Sequence, residues 1–297
     1  MSTDYQALVP SRPIGTKIER HIFQTARSRS DLPHEIEQNI AHLRQSNPEY
    51  EYHLFDDEEI RAFILEHYGE VIWGYYQRIA PPYGAARADF FRYLLMYQLG
   101  GVYLDIKSSL DRPLREVLRD DDQFLLTHWD NRPGEQYEGM GIIPELSFLP
   151  RGEYIQWCII SVSGHPLLRA VILRMLQNID EYSPFVQGAG LWGVLRVTGP
   201  IMYTRVVESL RPQLVEGRDY RLLDRPQEVG LRYSIYDNMG IYGHKKALGT
   251  NYNKHYTPII MTPNRPLYAR CAKAYLFVRL ALGVLRDKVS RSFSRRG

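Results

Sequence analysis

The chain reads as an α/β protein with a mostly parallel sheet flanked by helices. Three observations predict this. Strand-like and helix-like periods alternate from Ile18 to Lys107. The last of these strands follows a helix stopped by Gly100-Gly101 and ends in charge, at Asp105 and Lys107. Finally, 297 residues that are 44% hydrophobic and 24% charged supply a sizeable core, enough for one large or two small domains.

Residues 1–15 carry Pro10, Pro13 and Gly15 without periodicity and read as a loose lead-in. Ile18 to Thr25 suits a first strand, with Gln24 and Thr25 at its carboxyl end, where an open sheet binds ligands. A polar strand-to-helix turn accounts for the same two residues equally well. Leu32-Pro33 to Asn47-Pro48 reads as a helix closed by proline. Tyr50 to Phe55 alternates as a second strand. The acids Asp56 to Glu59 fit the first turn of another helix better than a metal site, because the helix dipole favours negative charge there.

A helix after Pro81-Pro82 buries one face through Phe91, Leu94, Leu95 and Leu99. Asp89 and Arg92, three apart, share a different face. In the strand Val102-Tyr103-Leu104, Tyr103 and Asp105 fall on one side, with Lys107 joining them if the chain stays extended. Unpaired buried charge is expensive, so these groups meet one another or a charged ligand. A purely structural ion pair is the alternative.

Gln123 to Thr127 reads as a strand. Residues 129–152 are rich in Gly, Pro, Asn and Glu, and a loop of that length is a candidate substrate-contacting segment. Ile155 to Ser161 is apolar, and Gly164-His165-Pro166 precedes a clear helix in which His165 is a helix-start residue. Thr198-Gly199-Pro200 opens another helix, whose free amides either face a ligand or only cap. Residues 217–265 read as irregular strands and turns. Their polar aromatics and histidines (Tyr233, Tyr236, Tyr242, His244, Tyr252, His255, Tyr256) suit an acceptor wall but lack zinc-ligand spacing.

Ala274 to Leu285 is apolar apart from Arg279 and too short to span a bilayer. Arg286, Lys288, Arg291, Arg295 and Arg296 follow, against one Asp287. This pattern suits an anionic membrane surface, or a last helix docked on the core with a solvated tail. The net charge of +3 gives no sign of a nucleic-acid protein. Cys158 and Cys271 lie in apolar stretches without a C-x-x-C and read as buried thiols of a reducing compartment. No secretory core precedes them, so the expected location is cytoplasmic, peripheral at the inner face of a membrane. There is no internal repeat, Walker loop, G-x-S-x-G or H-E-x-x-H.

Arg87-Ala88-Asp89 through Gly100-Gly101-Val102-Tyr103-Leu104-Asp105 closely resembles the DxD-containing sugar transferases, glycosyltransferase family 32. That family includes fungal Golgi mannosyltransferases and bacterial polysaccharide enzymes. Its central pattern is R-A-D-x-x-R-Y-x-x-L-x-x-x-G-G-x-Y-x-D-x-D. Weaker landmarks are His21-Ile22-Phe23-Gln24-Thr25, Asn47-Pro48-Glu49-Tyr50-Glu51-Tyr52, Gly164-His165-Pro166 and Thr198-Gly199-Pro200. Together they cover roughly residues 16–205.

The resemblance implies a GT-A fold, with a donor half over about 16–127, an acceptor half over about 128–266 and a separate segment 267–297. It implies retaining transfer from a UDP- or GDP-sugar to a glycan or lipid-linked acceptor in cell-surface polysaccharide or glycoconjugate synthesis. It places Asp89 and Arg92 on the donor's sugar and phosphate side, Tyr103 in the donor pocket, and Gln24 and Thr25 near the base. Asp105 would contact the ribose or a metal, and Asp89, Arg92, Asp105 and Lys107 form the implied catalytic set. The family's cofactor is a divalent metal (Mn²⁺ or Mg²⁺), but Lys107 stands where the second Asp of the motif is usual, and a charged lysine cannot ligate a metal. Lys107 then replaces the metal, or it points away while another acid completes the site, or the protein is a decayed transferase that only binds nucleotide-sugar or carbohydrate. Retention of Asp89, Arg92, Tyr103 and Asp105 favours an enzyme.

Overall fold

The structure is a computed structural model that describes residues 3–240, 243–248, 255, 257–261, 271–272 and 274–278. The chain begins with a short helix, α1 (Tyr5–Leu8), capped by the Asp4 side chain. This lead-in is not loose, contrary to expectation. Val9 is fully buried, Tyr97 donates its hydroxyl proton to Pro10 O at 3.0 Å, and Gly15 N donates to Ser163 O at 2.8 Å. Prolines without periodicity signalled an irregular path but not its docking.

Next come β1 (His21–Thr25), α2 (His34–Ser46), β2 (Glu51–Phe55), α3 (Asp57–Arg78), α4 (Gly84–Leu99) and β3 (Gly101–Leu104). The acidic run starts α3 as expected: Asp56 accepts from Glu58 N and Glu59 N, and the Glu59 carboxylate reaches back to Asp56 N in a capping box. Then follow β4 (Ser109–Leu110), α5 (Leu114–Val117), β5 (Leu125–Thr127), β6 (Cys158–Ser161), α6 (Pro166–Asp180), α7 (Gly190–Val197) and α8 (Pro200–Leu210). The described chain continues through β7 (Arg221–Leu223), β8 (Leu231–Arg232) and α9 (Gly243–Ala247).

The main sheet has the order β2-β1-β3-β6, with the first three strands parallel and β6 antiparallel. This is the α/β architecture that the sequence predicts. Because β2 and β3 lie on opposite sides of β1, the connections diverge there and leave a crevice at the carboxyl ends of β1 and β3. The strand expected over 123–127 forms, but β5 pairs with β7 in a two-stranded ladder and meets the main sheet through the Phe124–Ser161 bridge.

α4 is buried on nearly every side, from Ala86 through Tyr97, rather than along the single stripe its spacing predicted. Its charges Asp89 and Arg92 are therefore inside the molecule. Gly100 ends α4 at φ +68°, and a Cβ there would lie 2.5 Å from Ser163 N. Gly69, inside α3 at φ +75°, has no atom within 4 Å of a Cβ position. Gly100→Ala is accordingly expected to cost clearly more than Gly69→Ala, about 3 against about 1 kcal/mol in urea unfolding. Equal losses would contradict the close packing of this turn.

Of the two cysteines, Cys158 is buried, and burial pushes its thiol pKa up. Cys271 is exposed, which corrects the expectation of two buried thiols: an apolar sequence neighbourhood does not place every residue inward. The basic tail from Arg286 lies outside the described residues.

Candidate active site

The charged residues singled out in the sequence meet at the crevice between β1 and β3. Arg92 Nη2 lies 3.2 Å from Asp89 Oδ1 and 2.8 Å from Asp105 Oδ1. Lys107 Nζ lies 2.5 Å from Asp105 Oδ2. The four groups form a line of alternating charge, from Asp89 inside α4 to Lys107 beyond β3. The Arg92 guanidinium also stacks over the Tyr103 ring, 4.8 Å from its centroid. Thr25 Oγ1 and the Tyr103 hydroxyl are 3.1 Å apart, joining the ends of β1 and β3.

Depth divides this line into two roles. Asp89 and Arg92 are each only 3% exposed, whereas the Asp105 side chain is 21% exposed. Both Asp89 oxygens are engaged: Gln156 Nε2 donates to Oδ1 at 3.1 Å and Thr198 Oγ1 donates to Oδ2 at 2.9 Å. Arg92 Nη1 donates to Gln156 O at 2.6 Å and Oε1 at 3.0 Å. Such saturation keeps a buried charge tolerable. As placed, Asp89 and Arg92 brace Asp105 from beneath.

Gln24 is engaged in the same way. It is fully buried, its amide donates to Asp105 O at 2.9 Å, and its carbonyl accepts from the Tyr52 hydroxyl at 2.8 Å. It fixes the turn after β3. Thr25 is the residue of that pair left partly open to solvent. Tyr103 is fully buried and supports the Arg92 guanidinium.

Burial works against ionising Asp105, but Arg92 and then Lys107 outweigh it, and its carboxyl is held below the usual value. Burial raises Asp89, against the pull of Arg92, Gln156 and Thr198. Desolvation lowers the Lys107 ammonium, against the pull of Asp105.

The metal role foreseen for Asp105 does not fit this arrangement. Each of its oxygens already faces a cation, Arg92 on one and Lys107 on the other. Lysine adds positive charge and no ligand atom where a divalent ion would sit.

The described part of residues 217–265 lies against the charge line. β4 pairs with β8, Ser108 Oγ donates to Tyr233 O at 2.7 Å, and Ile235 N donates to Lys107 O at 2.8 Å. These bonds lay Tyr233 against the cluster, with Lys107 Nζ 4.6 Å from its ring centroid. Trp129, Tyr137, Trp157 and His244 pack around Tyr233 with centroids 4.7–5.9 Å away. Trp157 Nε1 and His244 Nδ1 are buried without a hydrogen-bond partner among the described residues. Tyr242, Tyr252 and Tyr256 lie outside the described residues. His165 is structural as expected: Nδ1 caps α6 by accepting from Leu167 N, and Nε2 donates to Asp219 O at 2.9 Å.

The long loop 129–152 feeds the same wall through Trp129 and Tyr137. Trp129 Nε1 donates to Glu153 Oε1 at 2.7 Å. Burial raises the Glu153 carboxyl to about 7, opposed by that bond. A carboxyl raised on folding stabilises the protein fully below its unfolded pKa and loses this stabilisation as pH rises through about 7. Between pH 5 and pH 8.5 the wild type is expected to lose about 2–3 kcal/mol that Glu153→Gln retains. Parallel urea-unfolding profiles for the two proteins would contradict this.

Sequence reasoning missed Gln156 and the ring of Trp129, Tyr137 and Trp157. Gln156 offered one signal, a polar residue entering an apolar strand. Thr198 was seen only as a helix start, yet its hydroxyl holds Asp89.

Comparison with known proteins identifies the frame of this site. Residues 33–125 match the family described as "Glycosyltransferase sugar-binding region containing DXD motif". This stretch includes α4, β3, Asp105 and Lys107. Residues 33–125 are thus similar to the DXD-type glycosyltransferase sugar-binding region.

The chain is 25% identical over 173 residues to an initiation-specific alpha-1,6-mannosyltransferase of Schizosaccharomyces pombe, covering 55% of this chain and 41% of that protein. It is 30% identical over 134 residues to the Candida albicans protein of the same name, covering 43% and 34%. It is 40% identical over 72 residues to inositol phosphoceramide mannosyltransferase 3 of S. pombe, covering 24% and 19%. The chain thus spans less than half the length of these curated relatives. Among solved structures, PaToxG glycosyltransferase overlays with a TM-score of 0.47 at 14% identity, covering 92% of this chain and 90% of that one.

Proposed function

We propose that this chain is a glycosyltransferase that moves a sugar from a UDP- or GDP-sugar to a hydroxyl of a glycan or lipid-linked acceptor, with retention. One observation carries the reading. Lys107 and Asp105, the outer end of a braced charge line with side chains 10% and 21% exposed, stand at the carboxyl end of β3 beside the β1–β3 crevice. The sugar-binding family of residues 33–125 supports a nucleotide-sugar donor, and the names of the relatives support a mannosyl group.

In this reading the bond from the sugar's anomeric carbon to the diphosphate breaks and a bond to the acceptor oxygen forms on the same face. The acceptor's proton leaves with the nucleoside diphosphate. Lys107 turns from Asp105 toward the diphosphate and neutralises the charge that develops on it, the largest electrostatic demand of the step. Asp89 and Arg92 hold Asp105, and Asp105 limits where Lys107 can go. The Trp129–Tyr137–Trp157–Tyr233 wall takes the acceptor. Tyr233, the partly exposed ring of that cluster, faces the acceptor, and the buried Trp129, Tyr137 and Trp157 hold it in place.

The test is release of UDP or GDP from a panel of nucleotide-sugars with a crude glycan acceptor. Release dependent on acceptor supports transfer. Saturable donor binding without release would instead support the binding-only reading. Peripheral membrane contact is part of the proposal. No described helix is long and apolar enough to cross a membrane, and Tyr275, Phe277 and Val278 are exposed just before the basic tail. Flotation with anionic vesicles that survives truncation after Pro266 would refute that anchor.

A further inference from the structure

Away from the charge line, the amino-terminal ends of β1 and β2 bring together three ligand-type side chains. In the parallel register His21 lies opposite Glu51 and Phe23 opposite His53. Side chains two apart share a face, so His21, Glu51 and His53 emerge on one side of the sheet. His21 Nδ1 is 3.0 Å from His53 Nε2, and Glu51 Oε2 is 3.8 Å from the first and 3.7 Å from the second.

The two imidazoles are held in place by packing. Both contact the buried Phe23 ring, with centroids 5.6 and 5.1 Å away, the second stacked. The opening is accessible: the side chains of His21, Glu51 and His53 are 33%, 69% and 29% exposed.

We infer that His21, Glu51 and His53 form a binding site for a divalent transition metal of the Zn²⁺ class, clamping the edge strand β2 to β1. The geometry meets the bond lengths: a point equidistant from the three ligand atoms lies about 2.1 Å from each, within the range of Zn–N and Zn–O bonds. Two imidazoles and one carboxylate are a ligand set that zinc accepts with a fourth position left to water, and the exposed side of the triad supplies that position. The 3.0 Å nitrogen separation also admits an N–H···N hydrogen bond. That bond leaves Glu51 unexplained, since its oxygen sits nearly equally far from both rings and too far to bond either.

The site is independent of donor chemistry, so its test does not use activity. Full-length protein stripped with chelator and dialysed is titrated with ZnCl₂ by calorimetry, with thermal melting in parallel. One Zn²⁺ per chain is expected, with a rise in melting temperature. Asp105→Asn should leave both unchanged, and His53→Ala should abolish both. Glu51→Gln, at an exposed position that leaves the fold intact, should weaken binding about tenfold. No saturable uptake, or uptake unchanged in both His53→Ala and Glu51→Gln, overturns the assignment. Uptake lost in His53→Ala but undiminished in Glu51→Gln also overturns it, because the site would then lack its carboxylate ligand.

Discussion

Asp105→Asn lowers donor turnover by at least about a hundredfold, the scale of losing one preorganised charge contact at a reacting centre. Asp105 is the junction of the charge line, taking Arg92 on one oxygen and Lys107 on the other. The amide keeps the shape but halves the acceptor capacity and removes the negative charge. Arg92, buried beside Asp89, then faces one carboxylate instead of two, and Lys107 loses the partner that positions it. Arg92→Lys should fall as far, because one ammonium cannot replace contacts made by two guanidinium nitrogens and stacking on Tyr103. Arg92→Ala is a poorer probe, since removing one partner of a buried pair costs about 3–5 kcal/mol in stability and confuses folding with function. Nucleoside diphosphate release, with circular dichroism as the folding control, checks both variants. Full activity in Asp105→Asn would remove Asp105 from the machinery.

Lys107 gives the second large effect. In chelator, Lys107→Met is expected to lose about 10²–10³-fold in release, because the leaving diphosphate then meets no mobile cation. Lys107→Asp should be as inactive in chelator and regain part of its activity with Mn²⁺. That change restores two acids, Asp105 and the new carboxylate, to a position where the wild-type chain has one acid and one ammonium. Full activity of Lys107→Asp in chelator would sink the idea that lysine takes the metal's place.

Much of this site was legible in the sequence because its parts lie close along the chain. Asp89 and Arg92 are one helical turn apart, and Tyr103 and Asp105 share a strand face, so local periodicity alone brought them together. The glycine pair marked the turn between the two elements, and the acidic first turn of α3 was readable for the same local reason. Depth was not legible. Spacing shows that Asp89 and Arg92 share a face, but α4 is covered nearly all round, which depends on α3, α6 and α7 arriving from elsewhere. The role of Gln24 was hidden likewise, because its partners Tyr52 and Asp105 lie 28 and 81 residues away. Gln156 and Thr198 reach Asp89 across 67 and 109 residues, distances over which no periodicity carries information. The His21–Glu51–His53 triad was missed for a related reason. Its members have no metal-ligand spacing within either strand, and only the parallel register of β1 on β2 sets them side by side.

The most direct test of the account is a crystal structure of the protein with UDP or GDP, grown in chelator. The account predicts the diphosphate at the carboxyl ends of β1 and β3, with Lys107 Nζ moved from Asp105 onto a phosphate oxygen and Asp89 and Arg92 unmoved beneath. A nucleotide bound elsewhere, or in the crevice with Lys107 still closed on Asp105, would contradict it.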